Sequence, residues 1–210
     1  LHSNSGGGLG FSFKWDMGYM HDTLDYFSSD PLFRKGMHEK LTFSMMYAFS
    51  ENFILAYSHD EVVHGKHSML DKMYGSYEQK FAQLRSLYGY QFAHPGKKLG
   101  FMGSEFGQFI EWNYKQELDW LLLKYPSHDS LREYCRALNF FYTENPELYE
   151  IDKSWDGFRW LNVDEKALSC IAFMRSGTSK TRHIVCACNF IPNDNPHFTV
   201  GLPSDGAPLL

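Results

Sequence analysis

Phe53-Ile54-Leu55-Ala56-Tyr57, running straight into Ser58-His59-Asp60-Glu61-Val62-Val63-His64, is the stretch on which the fold class turns. Five apolar residues in succession have the length of a strand. An unbroken apolar run fits a strand buried on both faces, as in a parallel sheet. The run then stops in polar residues, and parallel α/β proteins build their sites at such carboxyl ends.

The neighbouring sequence repeats this pattern. Leu9 to Trp15 (LGFSFKW) is short, aromatic and partly alternating, and reads as a strand. Met37, Leu41, Met45 and Ala48/Phe49 recur at helical spacing and predict a helix over about 36–50. Ser76 and Gln79 form a capping box for a helix with the face Phe81, Leu84, Tyr88 and Phe92, stopped by His94-Pro95-Gly96. Leu99 to Met102 is a further buried strand. The order β-α-β-α-β implies right-handed parallel crossovers. Each apolar run ends in polar residues: Lys14-Trp15-Asp16, Ser58-His59-Asp60 and Ser104-Glu105. One such ending marks only where a strand leaves the core; three in succession predict a shared site.

After Trp112 the texture changes. Asp129 is placed to cap a helix with the face Leu131, Tyr134/Cys135, Leu138 and Tyr142, ended by Asn145-Pro146. From about Trp155 the pattern is all β: FRWLNV (158–163), LSCIAFM (168–174) and HIVCACN (183–189), separated by turn-rich segments. The chain divides into an α/β part, residues 1–150, and a small antiparallel part, residues 151–210, the boundary falling within 145–156. Gly201 to Leu210 is expected to run toward a remainder of that second part.

Composition narrows the function classes. With 20 Lys+Arg against 25 Asp+Glu the formal charge is −5, which argues against nucleic acid. No apolar run approaches the roughly 20 residues of a membrane helix, and no secretory signal opens the chain. Four cysteines (Cys135, Cys170, Cys186, Cys188) are too sparse for a disulfide scaffold and read as reduced, mostly buried thiols of a cytoplasmic protein. Aromatics are abundant, with 18 Phe, 13 Tyr and 5 Trp, more than a core usually needs. The chain starts at Leu1 instead of Met and stops at an apolar Leu210, as expected of a fragment.

Several constellations have bland readings. Ser58-His59-Asp60 holds the residue types of a hydrolase triad, but consecutive side chains on a strand point to opposite faces and cannot relay a proton. His59 and Asp60 can still both reach a ligand where the strand curls into its loop. Glu61-x-x-His64 and His64-x-x-His67 have metal-like spacing, yet no HExxH or paired CxxC supports a site, and histidines hydrogen-bonded in a loop are expected instead. Gly6-Gly7-Gly8-Leu9-Gly10 fails the phosphate-loop register and precedes a strand, so a flexible loop is expected. Cys186-x-Cys188 puts two thiols on one strand face for packing. Phe11, Phe13, Trp15, Tyr19, Trp112, Tyr114 and Trp120 cluster around strand ends, where rings with polar rims suit the flat C–H faces of sugars.

Four segments, GGLGFSFKWDMGYMHDTLDYF, LTFSMMYAFSENFILAYSHDEVVHGKHSML, KFAQLRSLYGYQFAHPGKKLGFMGSEFGQFIEWN and ELDW, closely resemble in this order the α-1,4-glucan (glycogen) branching enzymes of the α-amylase superfamily. The likeness covers about residues 6–174 and continues more loosely to the end. Within it, SHDEVVHGK at 58–66 separates branching enzymes from amylases generally.

The resemblance implies an α/β plus all-β fold: strands six to eight of a (β/α)₈ TIM barrel followed by an antiparallel β-sandwich domain. It makes Asp60 the third catalytic carboxylate, stabilising the transition state, and His59 a donor to the reacting glucose. Hydrogen bonds that strengthen as the ring flattens toward an oxocarbenium ion lower the barrier. The substrates implied are α-glucans, and the reaction is a glycosyl transfer that makes α-1,6 branches by retaining double displacement, with no metal or organic cofactor. Trp15 and Trp112 are candidate platforms for the acceptor sugar. The Asp nucleophile and Glu acid/base, which retaining enzymes hold roughly 5–5.5 Å apart, lie upstream of GGLGF in the family. Glu105 is no substitute by position. These 210 residues alone are therefore expected to be inactive and unstable, with an open apolar edge strand. A glucan hydrolase or debranching enzyme, and a non-catalytic glucan-binding protein, are the competing expectations.

Overall fold

The computed structural model of the chain describes residues 8–179 and 181–203. Residues 1–7, which include Gly6 and Gly7 of the glycine-rich loop, and most of the stretch from Gly201 to Leu210 lie outside the described residues.

Two sheets organise the molecule. The first is parallel, in the order β1 (Lys14–Trp15), β2 (Phe53–Tyr57), β3 (Lys97–Gly100). Trp15 is in register with Ile54, and Tyr57 with Gly100. The second is antiparallel, in the order β4 (Phe158–Asn162), β5 (Cys170–Ser176), β6 (His183–Asn189). Helices α1 (Met17–Ser28), α2 (Glu39–Thr42), α3 (Met69–Lys72), α4 (Tyr77–Ala93) and α5 (Pro126–Glu144) fill the connections and the layer between the sheets.

The central strand is the FILAY run, as expected, and Leu55, Ala56 and Tyr57 are fully buried. The β1 expectation was too long. Only Lys14 and Trp15 pair, because β1 has β2 as its neighbour and β2 begins at Phe53; Leu9, Phe11 and Phe13 remain exposed. β3 begins two residues before its apolar run and closes at Gly100. Gly96 makes that early start feasible: its φ is +112°, and a Cβ there would sit 3.3 Å from the Phe53 carbonyl.

α4 carries the expected capping box, the Ser76 hydroxyl and the Gln79 side chain each bonding the other's backbone N–H. It buries Phe81, Leu84, Leu87, Tyr88 and Tyr90. Phe92 is only half-buried and meets Tyr142 of α5 edge-on at 5.8 Å.

The helix expected over 36–50 is not continuous. A 3₁₀ turn at Pro31–Gly36, the short α2, and a second 3₁₀ turn at Phe43–Met46 take its place. Unwinding lets the Ser44 hydroxyl reach His94 Nε2 (2.9 Å) and the Tyr47 hydroxyl reach Asp16 (3.1 Å). The crossover helix is instead α1, whose buried face is Tyr19, Met20, Thr23, Leu24, Tyr26 and Phe27. α5 starts at Pro126 with the ring at its first turn, three residues before Asp129. Asp129 is therefore not a cap; it pairs with Arg132 at 2.7 Å.

The two sheets share one core. Phe190, just past β6, inserts between α1 and α4, meeting Phe27 at 5.6 Å and Tyr90 at 5.7 Å, both edge-on. Beneath it Arg34 is fully buried and spends its donors on the carbonyls of Phe190, Phe27 and Ser29. The four cysteines are free; burial pushes Cys135 up to about 12 and Cys186 up to about 11, which suits packing over redox chemistry. Among the described residues no helix is long and apolar enough to cross a membrane.

Candidate functional site

The three polar strand ends have different fates. Asp16, after β1, is buried and caps α1, accepting from the Tyr19 N–H (2.8 Å) and the Tyr47 hydroxyl. Burial pushes its carboxyl above the usual carboxylate range, partly offset by those two bonds. Asp16 is thus framework. Glu105, after β3, is exposed in a 3₁₀ turn flanked by Gly103 and Gly107, both at positive φ.

The end of β2 is where chemistry is available. Ser58 is extended and buried, and the chain then tightens into a 3₁₀ turn, His59–Glu61, closed by the Val62 N–H on the His59 carbonyl (3.0 Å). Successive side chains in such a turn diverge by roughly 120° instead of 180°. The strand geometry that would separate His59 from Asp60 therefore no longer applies. His59 Nε2 lies 3.2 Å from Asp60 Oδ1, with the two side chains 51% and 53% exposed. A His–carboxylate pair this open can present donor and acceptor atoms to one polyol.

One wall of this site is aromatic. The His59 ring lies 5.8 Å from Phe101, which stands perpendicular to Trp112 at 5.1 Å; Trp112 in turn neighbours the exposed Tyr114 at 6.5 Å. The Trp112 N–H donates to the Val62 carbonyl (2.9 Å), so the segments after β2 and β3 are joined at the site. His59, Asp60 and Trp112 are brought together in this way. Trp15 is 37% exposed on β1, level with Ile54, about 10 Å below the end of β2 at roughly 3.3 Å per residue. Among the described residues no ring contact joins it to the other three.

The metal-like spacings are otherwise engaged. Glu61 is buried against Lys66 Nζ (3.2 Å), and His67 Nδ1 bonds Asp71 (2.8 Å). Among the described residues no three His, Cys, Asp or Glu side chains are grouped to hold a metal.

No local signal marks Phe101 or Glu111 as a site residue. Phe101 lay inside an apolar run that reads as strand, and Glu111 has no partner visible at short range. Its carboxylate accepts from the Gly65 and His67 N–H groups, more than 40 residues away.

A 1,4-alpha-glucan branching enzyme from Halothermothrix orenii is 55% identical over 94% of this chain, and one from Aquifex aeolicus is 54% identical over 95%. By sequence, the chain is similar to 1,4-alpha-glucan branching enzymes over almost its whole length. It spans about a third of the length of these curated relatives, 31% and 32%. Residues 160–207 match the alpha amylase C-terminal all-beta domain. Among solved structures, a pullulanase from Paenibacillus barengoltzii complexed with maltotetraose aligns with TM-score 0.69 at 16% identity, covering 91% of this chain and 33% of that one. An alpha-amylase from H. orenii aligns with TM-score 0.56 at 17% identity, covering 87% and 40%. At these identities the likeness is one of fold.

Proposed function

We propose that this chain supplies the third carboxylate and the acceptor-side wall of an α-glucan branching site. The observation that carries the reading is the open His59–Asp60 pair at the end of β2, bordered by Phe101 and Trp112.

In this reading the parallel strands are strands six to eight of a (β/α)₈ barrel, with the all-β unit from about residue 151 packed against it. A cavity of about 450 Å³ along β3, lined by Tyr88, Gln91, Phe101, Glu105 and Cys135 among others, is where further barrel structure would pack. The nucleophilic Asp and the Glu acid/base lie outside these 210 residues.

The chemistry follows from the residues. The nucleophile attacks the anomeric carbon, the α-1,4 bond breaks, and the acid protonates the departing oxygen, leaving a covalent glucan. A 6-hydroxyl then attacks the anomeric carbon, losing its proton to the residue that acted as acid; the ester bond to the nucleophile breaks, its carboxylate is freed, and an α-1,6 bond forms with retention. Asp60 accepts hydrogen bonds from ring hydroxyls, which strengthen as positive charge builds on the flattened ring. His59 donates to a neighbouring hydroxyl and is held by Asp60. Transfer prevails over hydrolysis when an acceptor sugar outcompetes water, and Trp112 offers that acceptor an apolar face with a polar rim.

The test uses a polypeptide of full branching-enzyme length carrying this chain, incubated with amylose. Falling iodine staining with debranching-sensitive α-1,6 linkages and few new reducing ends supports the reading. Staining that falls in step with new reducing ends makes the protein a hydrolase, and glucan binding without either makes it a binding module.

A further inference from the structure

The loop between Val62 and Ser68 is held in a conformation its own residues disfavour. His64 (φ 59°), Gly65 (φ 79°) and His67 (φ 67°) are all left-handed, and two of them carry a Cβ that resists this region. Such strain persists only where surroundings over-determine it, and it gathers at working sites. Glu111 is what over-determines it here: one carboxylate oxygen accepts from the His67 N–H at 2.7 Å and the other from the Gly65 N–H at 3.1 Å. The next residue, Trp112, donates its N–H to the Val62 carbonyl at 2.9 Å. Two successive residues therefore clamp both ends of the loop, and the second carries the ring that stands against Phe101, which in turn faces His59.

We propose that Glu111 is a positioning residue for the acceptor: by gripping Gly65 and His67 it fixes the loop and the Trp112 ring as one rigid wall beside His59–Asp60. The inference rests on the branching reading and names the group that sets the acceptor side of that site. A charged acceptor on two backbone donors is strong and directional, and half-buried Glu111 is close enough to solvent to leave the core untouched. The loop is also tied from within, by Lys72 Nζ on the Lys66 carbonyl and by Lys66 on Glu61. What Glu111 adds is the setting of the wall, and misplacement of a bound group by about 1 Å costs up to about 100-fold in rate.

Glu111→Gln keeps size and one acceptor but turns an NH₂ toward the Gly65 N–H; Glu111→Asp keeps the charge and both oxygens on a shorter arm. Both are made in the full-length polypeptide and compared with wild type for melting temperature, α-1,6 bonds formed, reducing ends released, and amide exchange of residues 62–68. The expected result for Glu111→Gln is an unchanged melting temperature, faster exchange at Gly65 and His67, branching down about tenfold, and reducing ends changed less than twofold. The apparent KM for acceptor glucan rises, and Glu111→Asp recovers part of the branching. A parallel fall in branching and hydrolysis, or no change in either, overturns the proposal. A wild type that makes no α-1,6 bonds overturns the branching reading itself, while the exchange measurement still reports whether Glu111 holds the loop.

Discussion

Arg175, in the middle strand of the antiparallel sheet, donates from Nη1 to the carbonyl of Ala93, the last residue of α4, at 2.6 Å. Fully buried, it also serves the carbonyls of Gly157 and Leu148 and the carboxylate of Asp152 (2.8 Å). The all-β part thus closes the C-terminus of the helix that precedes β3. Breaking a buried ion pair by removing one partner costs about 3–5 kcal/mol. Lys97 still reaches Asp152 at 3.0 Å, so Arg175→Met should cost near the lower end, about 3 kcal/mol. Chemical denaturation of the variant measures it; a loss below about 1 kcal/mol would mean that the two parts are not locked by this residue.

His94 links stability to pH. The ring is fully buried, with Nδ1 against the Pro95 carbonyl (2.9 Å) and Nε2 against the Ser44 hydroxyl. A carbonyl only accepts, so Nδ1 carries the proton and Nε2 accepts from Ser44. Burial pushes the ring from 6.5 down to about 3. The unfolded chain therefore binds a proton below pH 6.5 that the native state refuses. The stability is fully present above 6.5 and is lost progressively as pH falls toward about 3, on the order of 5 kcal/mol in all. Unfolding free energy measured from pH 7 to pH 4 should decline, and His94→Gln should flatten that decline while lowering stability at pH 7.

The capping box of α4 offers a smaller effect. Ser76→Ala removes an acceptor for the Gln79 N–H and should cost about 1 kcal/mol. Ser76→Gly should cost only a few tenths, and comparison of the two melting curves separates capping from a general surface change.

These predictions fall on elements of different legibility. The FILAY strand was readable to the residue because both its faces are buried, and the Ser76–Gln79 box because its signal is local. The apolar pattern places the start of β3 at Leu99, two residues late, because Lys97 and Lys98 look like a turn. Their amines fold back instead, Lys97 onto Asp152 and Lys98 onto the Gly96 carbonyl at 2.7 Å, so a polar pair sits inside a strand. The break in the 36–50 helix is set by contacts from Ser44 to His94 and from Tyr47 to Asp16, between residues about 30 or more apart that no periodicity encodes. At the site, His59 and Asp60 were legible as residue types. That they touch follows from a 3₁₀ turn, and Glu111's grip on the 62–68 loop is long-range.

Trp112 is expected to govern the fate of the covalent glucan. Trp112→Ala in the full-length polypeptide should lower branching relative to hydrolysis, read as α-1,6 bonds formed per reducing end released. An unchanged ratio would remove the ring from the acceptor site.

The central claim is that Asp60 works on the reacting sugar. Asp60→Asn in the full-length polypeptide keeps the shape of the turn and, with about half its side chain exposed, leaves the core intact. Its kcat for α-1,6 bond formation on amylose should fall by about 10²–10³-fold, the scale lost with one preorganised electrostatic contact in a transition state, while the melting temperature stays put. A variant that branches within about tenfold of wild type would contradict the account.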